Sequence, residues 1–163
     1  MRVRSWRLDV KGEFIFGNGQ VVKNNFTSEG AKLILQRALQ GVNATPLYMG
    51  ICTGVFDVAR LIQDLDEPAF TFGYARQQLA QNLVDWPVMG RVNGEWYVES
   101  KDLVFTAVGG NFSLPFNRPF LATSLAGLTG NVIALGKPIA AEITITPTTL
   151  LADRTMRYRL YAR

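Results

Sequence analysis

The sequence predicts a mainly β fold: an antiparallel β-sandwich or jelly-roll-like barrel with one short amphipathic helix and extended basic termini. Short apolar segments recur between closely spaced turn signals, a pattern typical of sandwiches and barrels. Only one segment has clear helical periodicity. Hydrophobic residues make up 48% of the 163 residues and charged residues 18%, which is enough apolar material for the core of a single domain.

The first third of the chain predicts a hairpin followed by the helix. Gly17-Asn18-Gly19 separates two apolar segments and is a hairpin signal. The helix is expected at about 28–40, with Thr27 or Ser28 as its N-cap and Gly41 as its stop. Its single apolar stripe should pack against a sheet. That predicted stripe consists of Ala31, Ile34, Leu35, Ala38 and Leu39.

Short strands and loops are predicted for the rest of the chain. Residues 47–53 indicate a buried strand, and residues 54–69 indicate a loop with one helical turn. Asn93-Gly94 is the strongest hairpin signal in the chain. Further short strands are expected at 103–108, 112–116, 119–126, 132–135 and 143–145. The C-terminal segment alternates between an apolar and a cationic face, as a strand does. The apolar positions are Met156, Tyr158, Leu160 and Ala162.

Positive charge gathers at the two ends of the chain. Residues 1–11 and 154–163 hold eight basic residues and one acidic residue, which leaves a formal charge of −3 for residues 12–153 within a net +4. We therefore divide the chain into a basic N-terminal arm (1–11), a β-rich domain with one helix (12–153) and a basic amphipathic C-terminal strand or arm (154–163).

Terminal segments that are both apolar and arginine-rich suit docking on other proteins by strand addition or clamping. Docking is favoured over nucleic-acid binding, which would also need an exposed aromatic platform or a groove helix. The expected docking residues are Arg2, Arg4, Trp6, Arg7, Leu8, Arg154, Arg157, Tyr158, Arg159, Leu160 and Arg163. The apolar ones among them, Trp6, Leu8, Tyr158 and Leu160, are expected to be buried only in an assembly or in a sheet closed by another chain.

Catalytic chemistry is poorly supported. The chain has no histidine, which excludes ordinary Ser/His/Asp and Cys/His triads and histidine-ligated metals. The acidic segment 64–67 fits no EF-hand spacing, so a solvated loop is favoured over a cation site. Glu95, Glu99 and Asp102 are candidates for glycoside hydrolysis, but a polar strand face is the favoured interpretation. We expect no catalytic residues, no metal and no cofactor.

Several segments, in their order along the chain, resemble small virion proteins of tailed bacteriophages, of the head-decoration or tail-accessory type. These segments are a helix, the apolar strand LYMGICTG, the acidic loop LIQDLDEPAF, the GYAR strand (73–76), a Trp-bearing hairpin and the late step ALGKPIAAEITIT. The resemblance covers about residues 26–146 and excludes the basic arms. It implies a β-rich fold and a structural role in a capsid or tail, and it implies no catalytic residues.

The expected function is that of a non-enzymatic capsid decoration or cement protein, made in the host cytoplasm and resident in the virion. Its expected partners are other virion proteins, chiefly the major capsid protein, and copies of itself, with no membrane and no nucleic acid. A tail or fibre-attachment role is the closest alternative. A carbohydrate-binding module that stacks sugars on Trp86, Trp96 and Tyr97 is an alternative of another class. Core burial of Trp86 and Trp96 would argue against sugar binding, whereas one exposed coplanar face would favour it.

Overall fold

The computed structural model describes residues 9–40, 45–54 and 61–162, and in these ranges the chain is mainly antiparallel β, as predicted. Besides the strands there are two α-helices and a 3-10 turn at Ile62–Asp64. The helices are α1 (Ser28–Leu39) and the single-turn α2 (Leu151–Arg154). The strands are β1 (Val10–Phe16), β2 (Val21–Phe26), β3 (Leu47–Cys52), β4 (Gln77–Leu79), β5 (Val88–Val92), β6 (Glu95–Glu99), β7 (Leu103–Val104), β8 (Arg118–Ala122), β9 (Val132–Gly136) and β10 (Thr155–Ala162).

The strands form one curled sheet in the order β4-β3-β8-β9-β2-β1-β10-β6-β5, with β7 also paired to β10. Strand β2 belongs to both parts of the sheet, because Val21–Lys23 pair with β1 whereas Asn24–Phe26 pair with β9. A strand that changes partner along its length turns a corner. The parts on either side of β2 therefore enclose a common core, in which the stacked rings of Phe16 and Phe116 lie 6.2 Å apart.

Strands β3, β8 and β9, which we call the closed half, are covered on both faces. All five residues of β8 and all five of β9 are buried. In β8 the side chains alternate, because Leu121 contributes to the main core while Phe120 and Ala122 belong to a second cluster on the outer face. Ile62 and Leu65, from the predicted acidic loop, cover that second cluster. Strands β10, β6 and β5, which we call the open half, have no such outer layer among the described residues.

Both predicted hairpins are present. The β5–β6 turn places Asn93 and Gly94 at φ values of 49° and 83°, the left-handed pair that a tight two-residue hairpin turn requires. The predicted strands at 112–116 and 143–145 are wrong as regular strands, since Phe116 and Ile143 form only an isolated bridge. The single turn of α2 was not predicted. A cluster of threonines at 146–149 precedes it and hydrogen-bonds within itself.

The helix α1 was placed correctly, but its predicted apolar face is only partly right, because Ile34 faces inward whereas Leu35 and Leu39 do not. Thr27 caps α1 by accepting a hydrogen bond from the Gly30 amide (3.0 Å), and its hydroxyl donates to the Val132 carbonyl (2.5 Å). Gly30 lies so close to the Ile133 carbonyl that a Cβ would overlap it. These contacts with β9 fix the rotation of the helix. The inward residues are therefore Gly30, Leu33, Ile34 and Arg37, while Leu35 is 47% exposed and Leu39 is 78% exposed.

Candidate functional site

Six of the expected docking residues lie outside the described residues. These residues are Arg2, Arg4, Trp6, Arg7, Leu8 and Arg163. Strand β1 begins at Val10, so the last two residues of the predicted N-terminal arm, Val10 and Lys11, are already paired within the sheet. The docking role of the N-terminal residues stays a prediction.

Strand β10 has the predicted alternation, but it is an interior strand of this chain's own sheet. It pairs along its whole length with β1 and near its end with β6. Tyr158 is fully buried, with its ring 4.8 Å from that of Phe14 and edge-on to Trp86. This burial raises the pKa of Tyr158. The expectation that Tyr158 is buried only on assembly is therefore wrong, because Phe14 and Trp86 of the same chain pack against its ring. Leu160 is half-buried against the same core.

The cationic face of β10 carries Arg157, Arg159 and Tyr161, which we call the charged ladder. Its side chains bind carboxylates of the same chain. Arg157 Nε and Arg159 Nη2 lie 2.7 and 2.5 Å from the two oxygens of Glu99. Tyr161 accepts from Arg159 (3.2 Å) and donates to Glu13 (2.9 Å). Burial lowers the pKa of Arg159, but the hydrogen bonds with Tyr161 and Glu99 outweigh it, so that pKa is raised. The ladder is therefore neutralised largely within the chain.

Arg154 also binds within the chain, since Nη1 donates to Thr106 Oγ1 (2.6 Å). The three carboxylates considered for glycoside hydrolysis are ion-paired as well. Glu99 lies between two arginines, Glu95 pairs with Lys11 (2.7 Å), and Asp102 lies 3.3 Å from Arg157. Glu95 and Glu99 lie on β6, as the favoured interpretation of a polar strand face expects, whereas Asp102 lies beyond that strand.

The acidic loop is held by a buried ion pair. Glu67 and Arg76 meet at 2.5 Å with both side chains almost fully buried. Arg76 also donates to the carbonyls of Ser124 (2.9 Å) and Gly127 (2.8 Å), and the Tyr74 hydroxyl donates to Glu67. The Glu67 carboxylate is therefore fully engaged in structural contacts within the chain. Across the described ranges, no group of three or more Asp, Glu, Cys or His side chains is placed to hold a metal ion.

The three aromatics considered for sugar stacking do not form one platform. Trp86 is half-buried against Tyr158. Trp96 and Tyr97 are neighbours on β6 and point to opposite faces of the sheet. Tyr97 lies over Gly90, with the Arg159 guanidinium 4.8 Å from its ring. Neither of the two arrangements used to judge sugar binding is therefore observed.

A surface that the sequence analysis missed lies on the β5–β6 hairpin. Met89 and Trp96 are 73% and 56% exposed, and the Arg91 guanidinium lies 5.8 Å from the Trp96 ring. Arg91 pairs directly with Trp96, and Met89 lies two residues away on the same face of β5. We call Met89, Arg91 and Trp96 the hairpin patch. The sequence signal that could have revealed it is the spacing of Met89, Arg91 and Trp96 around the Asn93-Gly94 turn, which places all three on one face of a two-residue hairpin.

The hairpin patch adjoins an apolar groove between α1 and the sheet. Met89 pairs with Val98, and Val98 lines the groove beside Leu160 and Trp86. The loop 80–86 forms one wall, held by Asp85, which accepts from the Ala80 amide (2.6 Å) and pairs with Lys101 (2.5 Å). The groove has a volume of about 620 Å³.

Comparison with known proteins identifies no relative: no protein-family model, no curated protein and no solved structure matches this chain. The described ranges contain no helix long and apolar enough to cross a membrane. The single cysteine, Cys52, is buried in the second cluster, and this burial raises the pKa of its thiol. A thiol held protonated in this way is a poor nucleophile.

Proposed function

We propose that this chain is a non-enzymatic structural protein of a tailed-bacteriophage virion, and specifically a capsid decoration or cement protein that docks on the major capsid protein. The resemblance over about residues 26–146 supports the virion role. The hairpin patch carries the docking role, since it presents apolar and aromatic surface that no described residue covers.

The hairpin patch has the composition of a protein interface. Methionine, tryptophan and arginine are enriched at interfaces, and exposed tryptophan and arginine often supply most of the binding energy. Strand β5 is also the last strand in the order of the sheet, so it pairs on one side only within the described chain. An unpaired strand edge beside apolar side chains suits strand addition by a partner.

This proposal moves the docking surface of the described residues from β10 to the neighbouring hairpin. Tyr158 is enclosed, and Arg157 and Arg159 already bind Glu99. Apolar anchors should therefore dominate the dissociation rate, whereas the charged ladder should influence only the approach of the partner. Residues 1–8 are proposed to add a second contact.

The partners in this proposal are other virion proteins and further copies of the chain, with synthesis in the host cytoplasm. A tail or fibre-attachment protein could use the same hairpin patch. The two roles differ in where the chain is found on the particle, so one experiment distinguishes them.

The test is complementation of a phage that lacks this gene, followed by quantification of the chain in purified virions. Immunogold labelling should place the wild-type chain on the head. A Met89→Ala/Trp96→Ala double variant should reduce occupancy roughly tenfold, as loss of two interface anchors does. Leu128→Ala is the matched control, because Leu128 is exposed but lies outside the hairpin patch.

Labelling of the tail would replace the decoration role with the tail role. Absence of the wild-type chain from purified virions would overturn the proposal as a whole. Full occupancy by the double variant would overturn the assignment of the hairpin patch.

A further inference from the structure

The groove beside α1 has the size and lining of a small-molecule site. Its volume of about 620 Å³ lies within the ~300–1,000 Å³ typical of ligand pockets. Side chains from both parts of the sheet line it, including Phe26, Leu47, Ile133 and Leu160. Leu33 and Ile34 of the helix and Leu83 and Trp86 of the loop complete the apolar walls.

Arg37 is the single charged residue among those that line the groove. It follows Leu33 by one helical turn, so it lies at one end of the apolar wall that α1 provides. Desolvation by this partly buried position lowers the pKa of Arg37. A cation beside an apolar surface is poorly hydrated and is stabilised by an anion of matching geometry.

The contacts of Arg37 within the described residues are all with neutral acceptors. Its Nη2 donates to the Thr45 carbonyl and to Thr45 Oγ1 (3.2 Å). With its side-chain amide oxygen turned toward the helix, Gln81 accepts from Nε (3.2 Å) and from Nη1. Gln81 is exposed and can rotate away. Its departure would free the N–H groups of Nε and Nη1, which can then donate charge-assisted hydrogen bonds to a carboxylate.

We propose that this groove binds a small amphiphilic carboxylate, with its aliphatic tail along Leu33, Trp86 and Leu160 and its carboxylate on Arg37. The apolar walls favour a hydrocarbon tail, and the single cation favours a negative head group over a neutral or positive one. This site is independent of the proposed virion role, because it depends on the groove and not on the hairpin patch.

The experiment is isothermal titration of the full chain with decanoate below its micelle concentration, alongside decyltrimethylammonium, which has the same tail and the opposite charge. Decanoate should bind and the cation should bind at least roughly tenfold more weakly, since charge-assisted pairs contribute this much in partly buried sites. A bound tail should also change the tryptophan fluorescence, and Trp86→Phe should abolish that change.

Two sets of variants locate the site. Arg37→Gln should weaken decanoate binding roughly tenfold. Leu83 is 86% exposed at the rim, so Leu83→Asp and Leu83→Lys should both fold and both lose the same apolar contact. The Asp variant should bind decanoate several-fold more weakly than the Lys variant. Leu128→Asp, away from the groove, should behave as wild type.

Equal affinity for decanoate and decyltrimethylammonium would overturn the proposal. Equal decanoate affinity of the two Leu83 variants would also overturn it, whether or not Arg37→Gln folds. A wild-type affinity in a folded Arg37→Gln variant would overturn the role of the guanidinium.

Discussion

The closed half and the open half of the sheet are built from similar antiparallel strands, but they differ in what covers them. In the closed half Ile62 and Leu65 lie over β8 and β9, and the nearby ion pair Glu67–Arg76 is buried. In the open half Arg157 and Arg159 form a half-exposed ladder on one face of the sheet, and Met89 and Trp96 are exposed on the other face. Apolar surface that the chain itself buries contributes to its stability, whereas apolar surface left exposed is available to a partner.

The largest difference in the free energy of unfolding should come from substituting one arginine in each region: Arg76, beside the closed half, and Arg91, in the open half. Arg76→Ala would leave Glu67 buried without its cation and should cost about 3–5 kcal/mol in the free energy of unfolding. Arg91→Ala removes an exposed guanidinium over Trp96 and should cost about 0.5 kcal/mol or less. Chemical denaturation of both variants measures the difference. Similar losses would show that the two halves do not differ in the way described.

A second contrast uses two glycines that lie beneath aromatic rings. A Cβ on Gly50 would overlap the Phe120 ring, and a Cβ on Gly90 would lie 2.6 Å from Tyr97 Cζ. Phe120 is fully buried and cannot move, so Gly50→Ala should cost about 1–3 kcal/mol. Tyr97 is half-exposed and can swing outward, so Gly90→Ala should cost less than about 1 kcal/mol.

Thermal denaturation of the two glycine variants provides the measurement. The order of the two losses is the decisive result, since both substitutions add one methyl group and neither glycine has a positive φ. A larger loss for Gly90→Ala would mean that the open half is packed as tightly as the closed half.

The loop 80–86 should make a smaller, pH-dependent contribution. The hydrogen bond from Lys101, with that from the Ala80 amide, outweighs desolvation and lowers the pKa of Asp85. Because the pKa is lower in the folded chain, ionised Asp85 stabilises the fold when the pH is above its pKa in the unfolded chain, about 3.9. This stabilisation is lost as the pH falls through its pKa in the folded chain. Asp85→Asn should therefore cost about 1 kcal/mol at neutral pH, and this loss should disappear as the pH falls below the folded pKa of Asp85.

Stability against pH for Asp85→Asn and for Asp102→Asn provides the test of this loop. Asp102 is the matched control, because it is largely exposed and lies 3.3 Å from Arg157. Its substitution should change stability by less than about 0.5 kcal/mol at any pH. A pH-independent loss in Asp85→Asn would show that the loop depends on shape rather than on this charge.

The features that the sequence predicted are those that depend on local chemistry. Asn93-Gly94 indicates a tight turn and Thr27 indicates a helix start, because each acts on its own backbone neighbours. The alternation of apolar and cationic residues in β10 was predictable for the same reason, because it depends only on neighbouring positions in the sequence. Its place between β1 and β6 was not predictable, since it depends on pairing between residues far apart in the chain.

The misassigned part of the helix face has a similar explanation. Apolar residues at 33–35 and 38–39 surround much of α1, so periodicity alone left two faces almost equivalent. The approach of Gly30 to the Ile133 carbonyl decided between them, and that contact joins residues about one hundred positions apart. The pair Glu67–Arg76 was missed because eight residues of irregular chain separate its members.

Hydroxyl-radical footprinting of the free chain and of purified virions most directly tests whether the open half is the docking region. Met89 and Trp96 are both exposed and readily oxidised, whereas Met49 and Met156 are buried in either state. The hairpin patch should be modified in the free chain and protected in the particle, while Phe72, exposed outside the open half, should be modified equally in both. Equal modification of Met89 and Trp96 in both states would contradict docking through the open half.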